Sequence, residues 1–164
     1  MQNFISFLDQ QVKSLNTDLE ISLTNKRLLN NVFQNYVDLW IEEKFSLSNG
    51  NLIAELNEIF TDFIILPAFS YDKQFLRKKL REFLISANYS QLKNVNNLCK
   101  FKDDLINLDI KIEKLSLTLK RINDIKDQAI DNKNCLKTYY STIKELVLEL
   151  KQFYKTSNFM SITI

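Results

Sequence analysis

The amino-acid sequence predicts an all-α protein, and three observations support this fold class. The chain has 164 residues but contains only one Gly and one Pro, whereas a β-rich fold needs glycine in several of its tight turns. Apolar residues recur at intervals of three and four along most of the chain, which is the spacing of one helix face. Hydrophobic residues make up 45% and charged residues 26% of the chain, a balance typical of globular proteins. We therefore predict a single helical-bundle domain over residues 1–164, with six or seven helices.

The first two predicted helices precede the clearest turn in the sequence. The first is expected over residues 4–23, and the second is expected to end near Phe45. Residues 46–51 follow, and they combine the only glycine with two asparagines, which is a strong turn signal. The first helix is expected to turn one apolar face inward, formed by Phe4, Leu8, Val12, Leu15, Leu19 and Leu23.

Three shorter helices are predicted after this turn. The third helix is expected to stop before Pro67, because a proline ring disfavours helical backbone in the residue before it. The fourth is expected to begin near Ser70 as its N-cap, with Asp72 in the first turn, where a negative charge is favourable. The fifth is predicted over residues 90–100.

The strongest helix signal lies in the C-terminal third of the chain. Six apolar residues alternate steps of three and four, as in a heptad seam: Leu105, Leu108, Ile112, Leu115, Leu119 and Ile122. A polar break at residues 131–134 precedes a last helix with the same spacing. Two long helices joined by a short loop pack as an antiparallel hairpin. We predict such a hairpin from residues 104–130 and 134–155, followed by a frayed tail at 157–164. Its buried faces are expected to hold Leu108, Leu115, Ile122, Ile143, Val147 and Leu150.

The composition excludes several classes of active site. The chain has no His, so it contains no imidazole base and no histidine metal ligand. A single Gly excludes glycine-rich phosphate loops. Asp103 and Asp104, with Asp109 and Glu113 nearby, raise the question of a metal site, but adjacent acids at a helix start do not converge on one ion. We interpret the pair as helix capping, and we predict no catalytic residue, metal or cofactor.

The termini and cysteines indicate where the protein resides. The first residues lack the basic and long apolar regions of a signal peptide. The longest apolar run, residues 63–69, is far shorter than a membrane span. Cys99 and Cys135 fit reduced thiols better than a disulfide. We therefore expect a cytoplasmic protein without a membrane segment. Its excess of Lys over Arg is typical of an AT-rich genome.

Two groups of residues are candidates for binding surfaces. Arg77, Lys78 and Arg81 share one face of the fourth predicted helix, where they could contact phosphates. The same pattern is also typical of the solvated side of an amphipathic helix. Tyr36 and Trp40 lie one turn apart on a helix with too many apolar residues for one buried face. They are candidate anchors for a partner or a second copy of the chain, with core packing as the alternative.

One region resembles a known family. The segment IKDQAIDN at residues 125–132, followed by LKTYYSTIKELVLELKQFY, resembles the C-terminal helices of HEPN domains, and NKRLLNNVFQNYVDLWIEEKF is similar in character to their early helices. These helical bundles are common in prokaryotic toxin–antitoxin and antiviral systems, and the active members are metal-independent ribonucleases with an Arg-polar-x-x-x-His motif. Lys126, Asp127 and Asp131 occupy the motif positions, so neither the Arg nor the His is matched. The resemblance therefore implies a catalytically silent member.

The sequence supports two functional hypotheses. The first is a non-enzymatic protein-interaction module that binds and occludes a partner protein, as an immunity protein, an antitoxin, a phage-encoded inhibitor or a silent HEPN-like component would. The second is a nucleic-acid-associated helical module that uses a basic helix face. A net charge of +2 is too small to favour the second hypothesis.

Overall fold

The regular structure of the protein is entirely α-helical in the computed structural model, which describes residues 2–47, 50–63, 72–132 and 135–156. These residues form five helices: α1 (Gln2–Leu47), α2 (Leu52–Ile59), α3 (Lys73–Ser86), α4 (Asn96–Asp131) and α5 (Leu136–Thr156). The predicted fold class is therefore confirmed. The predicted frayed tail and Pro67 lie outside the described residues.

The described residues contain fewer helices than the six or seven predicted, because two predicted boundaries, at residues 24–27 and at residues 100–104, lie inside continuous helices. Residues 24–27 separate two apolar stripes but contain neither Gly nor Pro, and α1 continues through them. Polar side chains alone do not end a helix, since they can point to solvent while the backbone hydrogen bonds continue. Lys26 in this stretch forms an ion pair of 2.5 Å with Asp109 of α4.

The first half of the predicted fifth helix, residues 90–95, forms a series of turns, and residues 96–100 belong to α4. Asn88 and Gln91 form a reciprocal cap, in which the Asn88 side chain accepts from the Gln91 backbone N–H and the Gln91 side chain accepts from the Asn88 N–H, both at 2.9 Å. Leu92 and Val95 then donate to carbonyls three residues earlier, so these turns are tighter than an α-helix. Regular helix begins only at Asn96.

The start of α3 is fixed by Asp72. Its carboxylate accepts hydrogen bonds from the backbone N–H groups of Gln74 and Phe75, each at 3.1 Å, which is the role of an N-cap. Asp72 is therefore the N-cap of α3, whereas the sequence predicted it as a residue of the first turn. Ser70, the predicted cap, lies outside the described residues.

The chain divides into two compact units, called unit 1 (Met1–Arg27 with Ile106–Ile164) and unit 2 (Leu28–Leu105). The core of unit 1 is mainly aliphatic and consists of Phe4, Leu8, Leu15, Leu115, Leu119, Ile122, Ala129, Ile143 and Leu150. The prediction that the heptad positions are buried is confirmed for Leu115, Ile122 and Ile143, each 0% exposed. The single-domain assignment stays a prediction.

Contacts within unit 1 give the order of its helices. Phe4 of α1 packs edge-to-face on Tyr140 of α5, with ring centroids 5.0 Å apart. Lys111 of α4 lies 5.1 Å from the ring centroid of Tyr154, and Lys114 lies 5.3 Å from that of Phe153. The late residues of α5 thus lie beside the early part of α4 in this unit. The full pairing predicted for the hairpin stays a prediction.

The core of unit 2 is rich in aromatic side chains. Trp40 of α1 meets Phe60 with ring centroids 5.6 Å apart, and Phe60 meets Phe83 of α3 at 5.4 Å. Phe60 is 1% exposed. Around these rings are the aliphatic side chains of Val37, Ile41, Leu56, Leu76, Leu80, Leu84, Leu92 and Leu98.

Candidate functional site

The basic residues predicted on α3 are engaged by carboxylates within unit 2. Arg77 Nε lies 3.1 Å from Glu42 Oε1, and Arg81 Nε lies 2.8 Å from Asp38 Oδ1. The Arg77 guanidinium also lies 4.8 Å from the centroid of the Phe45 ring. A phosphate would have to compete with two carboxylates of α1 for these cations. The remaining member of the predicted face, Lys78, is exposed.

The two aromatic anchor candidates are part of the packing of unit 2. Trp40 is 8% exposed, so its ring is not presented to solvent. Tyr36 is half-buried; its hydroxyl accepts a hydrogen bond from Asn97 Nδ2 at 2.8 Å, and its ring centroid lies 5.3 Å from that of Phe101. Core packing was the stated alternative, and Trp40 follows it. A role of either ring in an interface stays a prediction.

The surplus apolar residues of α1 emerge at other positions. Leu39 is 70% exposed and Val32 39% exposed. They are seven residues apart and therefore lie on nearly the same face of α1. Part of the apolar set of α1 is thus exposed, and its exposed residues are aliphatic and not aromatic. The seven-residue spacing of Val32 and Leu39 is visible in the sequence, but the prediction favoured aromatic residues as anchors and therefore named Tyr36 and Trp40.

The positions that correspond to the HEPN motif lie near the C-terminal end of α4. The Nζ atom of Lys126 lies 3.9 Å from Oδ1 of Asp9 on α1. Asp127 and Asp131 are exposed on α4. Lys126 is thus oriented toward α1, while the two aspartates face solvent.

The acidic residues at 103–104 do not cap a helix. Because α4 begins at Asn96, both aspartates lie in its interior, and the capping interpretation was wrong. Partial burial raises the pKa of Asp104, while Lys100 opposes this shift and Asp103 adds to it. Among the described residues, no three His, Cys, Asp or Glu side chains are grouped as a metal site requires. Cys99 is buried, Cys135 is exposed, and both are free thiols.

Unit 1 has a groove between α1 and α5. This α1–α5 groove has a volume of about 330 Å³ and is lined by Phe7, Gln11, Lys144, Val147, Leu148 and Lys151. Leu148 is 55% exposed, whereas Phe7 and Val147 are half-buried. Both lysine side chains are exposed. The groove therefore combines an apolar floor with two cations and, among its described lining residues, no carboxylate.

The pattern of α5 explains how these side chains come together. Lys144, Val147, Leu148 and Lys151 occupy positions i, i+3, i+4 and i+7, which share one helix face. Val147 packs against the core of unit 1, so this face lies at the boundary between core and solvent. The segment KELVLELK carries this signal in the sequence. Sequence reasoning missed it, because it counted Val147 with the buried stripe of the last helix and did not single out Leu148.

A second, smaller groove lies on the other side of α5, toward α4. It has a volume of about 80 Å³, and its lining is Lys114, Leu117, Thr118, Arg121, Leu146, Glu149, Leu150 and Phe153. Leu117 is 49% exposed. Its lining includes one carboxylate, Glu149, beside the cations Lys114 and Arg121. Both flanks of α5 thus carry exposed apolar residues, and the α1–α5 side is the one whose described lining residues include cations and no carboxylate.

Comparisons with known proteins do not assign the chain to a family. No protein-family model matches it, and no curated protein and no solved structure shows significant similarity to it. Within the described ranges, no helix combines the length and hydropathy that a membrane span requires.

Proposed function

We propose that the protein is a non-enzymatic interaction module that binds a partner protein through unit 1 and occludes part of the partner's surface. The observation that carries this proposal is the α1–α5 groove, in which Leu148 is exposed between two lysines. Exposed apolar residues that line a groove and are rimmed by polar groups are typical of protein-binding surfaces. The smaller groove beside Leu117 extends the apolar surface to the opposite flank of α5.

The scaffold of this surface is the predicted antiparallel hairpin of residues 104–130 and 134–155. The contacts of Lys111 with Tyr154 and of Lys114 with Phe153 support this pairing. The second helix of this pair, α5, contributes residues to both grooves. Such a surface suits an immunity protein, an antitoxin or a phage-encoded inhibitor, because each of these acts by covering a site on another protein. A catalytically silent HEPN-like component in the cytoplasm is a further form of the same proposal.

The test is the loss of partner binding after substitution of Leu148. The native partner is isolated with the wild-type chain from its host, identified, and titrated against Leu148→Glu and Leu39→Glu. We expect Leu148→Glu to weaken binding by about 30-fold or more, the level of an interface hot spot. Leu39→Glu is the matched control, because it places the same charge on an exposed leucine of unit 2.

Two outcomes would contradict the proposal. One is a partner whose affinity is unchanged by Leu148→Glu while thermal melts show that the variant is folded. The other is a purified wild-type protein that cleaves RNA and loses this activity after Lys126→Ala or Asp131→Ala. The second outcome would replace the interaction module with an enzyme.

A nucleic-acid-associated module is the second candidate, and a lysine row on α5 is the observation in its favour. Lys137, Lys144 and Lys151 recur every seven residues, and all three are exposed. Their spacing is about 10.5 Å along the helix, at 1.5 Å per residue. Binding to generic RNA or DNA by this row would weaken steeply as salt concentration rises. Glu145 and Glu149 lie on the adjacent exposed face of α5 and would repel phosphates.

A further inference from the structure

The α1–α5 groove restricts the chemistry of its ligand, and this inference rests on the proposed function in unit 1. Its floor is formed by Phe7, Val147 and Leu148, and its two cations, Lys144 and Lys151, stand on the α5 side. Among the described residues, no carboxylate lies within ion-pair distance of either lysine. Lys144 Nζ lies 5.7 Å from the centroid of the Tyr140 ring, so this cation already has an aromatic neighbour. Neither lysine is neutralised by a carboxylate, whereas Arg77 and Arg81 of unit 2 are.

We propose that the α1–α5 groove binds an acidic amphipathic helix of a partner protein. The apolar face of such a helix would pack on Phe7, Val147 and Leu148, and its carboxylates would pair with Lys144 and Lys151. These lysines are seven residues apart, which is two helical turns. A partner helix with acidic residues at i and i+7, and apolar residues at i+3 and i+4, matches the same face of α5 in spacing and is opposite to it in charge.

The mode of binding follows from the secondary structure of the site. An extended peptide binds most readily by adding a strand to an open sheet edge, and the described residues of unit 1 form helices only. The backbone N–H groups along α5 are hydrogen-bonded within the helix, so α5 offers its ligands side chains rather than main-chain donors. Helix-in-groove packing is the recognition mode that uses side chains alone.

The apolar floor also distinguishes this ligand from a nucleic acid. A phosphate backbone would pair with the lysines but would leave Leu148, which is 55% exposed, without an apolar partner. Glu145 and Glu149 are exposed on the same helix, and they would lie close to a phosphate backbone and repel it. An acidic amphipathic helix can pack its apolar face on Leu148. It can also place its carboxylates beside Lys144 and Lys151 and away from Glu145 and Glu149.

The experiment is a selection from a displayed library of amphipathic helices against the full-length protein. The helices share one leucine-rich face, and the positions beside it vary among Glu, Gln and Lys. We expect the wild-type chain to enrich Glu at positions seven residues apart. The double variant Lys144→Glu/Lys151→Glu should instead enrich Lys at these positions and bind the wild-type selection at least about tenfold more weakly.

Two controls accompany the selection. Lys78→Glu changes an exposed lysine of unit 2 and should leave the enriched sequences unchanged. Lys144→Gln/Lys151→Gln removes both charges with less perturbation, so it tests the same lysines if the double reversal does not fold. This variant should enrich neither Glu nor Lys. Affinity for the wild-type selection should also fall as salt increases, because the ion pairs stand at an exposed rim.

Several results would overturn the proposal. These are enrichment of Lys or Gln by the wild-type chain, no enrichment at all, or a Glu preference that survives Lys144→Glu/Lys151→Glu. Binding of a labelled RNA that is lost in the same double variant would assign the lysines to nucleic acid. If the native partner is lost with Leu148→Glu but the selected helices are not acidic, the interaction module stands and only the acidic helix is rejected.

Discussion

The two units use the cations on their helix surfaces in different ways. In unit 2, Arg77 and Arg81 form ion pairs with carboxylates of α1, so the densest basic cluster of the sequence contributes to internal contacts. In unit 1, Lys144 and Lys151 stand beside exposed apolar surface. The number of basic residues in a segment therefore does not measure the positive charge that a ligand can reach. That charge depends on which helix packs opposite the segment.

The cores of the two units differ in a parallel way. Unit 2 buries a set of contacting rings that includes Phe60, whereas unit 1 buries mainly aliphatic side chains such as Leu115. Aromatic side chains contribute more buried area per residue. The aliphatic seam of unit 1 instead repeats along long helices. Substitutions in these two cores should therefore lower the free energy of unfolding more than any other substitution considered below.

The first prediction compares the two cores directly. Phe60→Ala should lower the free energy of unfolding by about 3–5 kcal/mol and Leu115→Ala by about 2–5 kcal/mol, because both side chains are fully buried and their loss leaves a cavity. Unfolding in urea is followed by far-UV circular dichroism and by the fluorescence of Trp40, the only tryptophan of the chain. A loss below about 1 kcal/mol from either variant would contradict the burial of that residue.

The same titration tests the single-domain prediction. Trp40 lies in unit 2, whereas circular dichroism reports helices of both units. If the chain unfolds as one domain, the two signals change together in every variant. If the units unfold separately, Phe60→Ala shifts the fluorescence transition and leaves part of the dichroism transition in place. Leu39→Ala is the control, since an exposed leucine should change stability by less than about 0.5 kcal/mol.

The helix pattern of the sequence was sufficient for the fold class and for most of the core of unit 1. Leu23, expected on the inward face of the first helix, is 47% exposed, and the neighbouring Ser22 is buried instead. Leu115, Ile122 and Ile143 were predicted as buried from spacing alone, because a heptad seam gives one apolar face whatever the helix packs against. Helix boundaries were predicted less well where no Gly or Pro was present. Residues 24–27 and Asp103 were interpreted as breaks or caps, yet backbone hydrogen bonds continue through both.

The candidate site could not be derived from α5 alone. Lys144, Val147, Leu148 and Lys151 show the spacing of one face, but Phe7 and Gln11 complete the groove from a position more than 130 residues earlier. Periodicity reports which face of a helix is apolar and not which helix packs beside it. The pairing of Arg81 with Asp38 was missed for the same reason, because the two residues are 43 positions apart.

The second prediction measures how much the ion pairs of unit 2 stabilise it. A double-mutant cycle on Arg81→Gln and Asp38→Asn should give a coupling energy of about 0.2–1 kcal/mol, the usual value for exposed pairs. The coupling should decrease in high salt. In unit 1, Lys144→Gln and Lys151→Gln should each change stability by less than about 0.5 kcal/mol. A large loss from either lysine variant would show that unit 1 also uses these cations internally.

The third prediction concerns the pH dependence that one lysine contributes to unit 2. Lys102 donates a hydrogen bond from Nζ to the carbonyl of Ile85 near the end of α3, and Nζ lies 4.9 Å from the ring centroid of Phe33. Burial lowers the pKa of Lys102 from its ordinary value of 10.5, because desolvation disfavours the ammonium. The unfolded chain therefore holds this proton at pH values where the folded chain has released it.

Lys102 should consequently make the protein more stable as pH rises, because the unfolded state binds more protons between the lowered pKa and 10.5. Tyr89 and Tyr154 act in the opposite direction at higher pH, since their pKa values are raised in the folded protein. The measurement is the free energy of unfolding from about pH 8 to about pH 9.5, below the ordinary titration of tyrosine. In Lys102→Met, the free energy of unfolding should increase less with pH over this range than it does in the wild type.

The control Lys93→Met removes an exposed ammonium from the same unit and shows the effect of losing one surface charge. A Lys102→Met profile parallel to the wild type would show that Lys102 stays charged in the folded protein throughout this range. In that case the Ile85 carbonyl and the Phe33 ring stabilise the ammonium enough to offset its desolvation. The charge of Lys102 would then be stabilised by a carbonyl at the end of α3, as the charges of Arg77 and Arg81 are stabilised by carboxylates. The contrast with the lysines of unit 1 would be sharper.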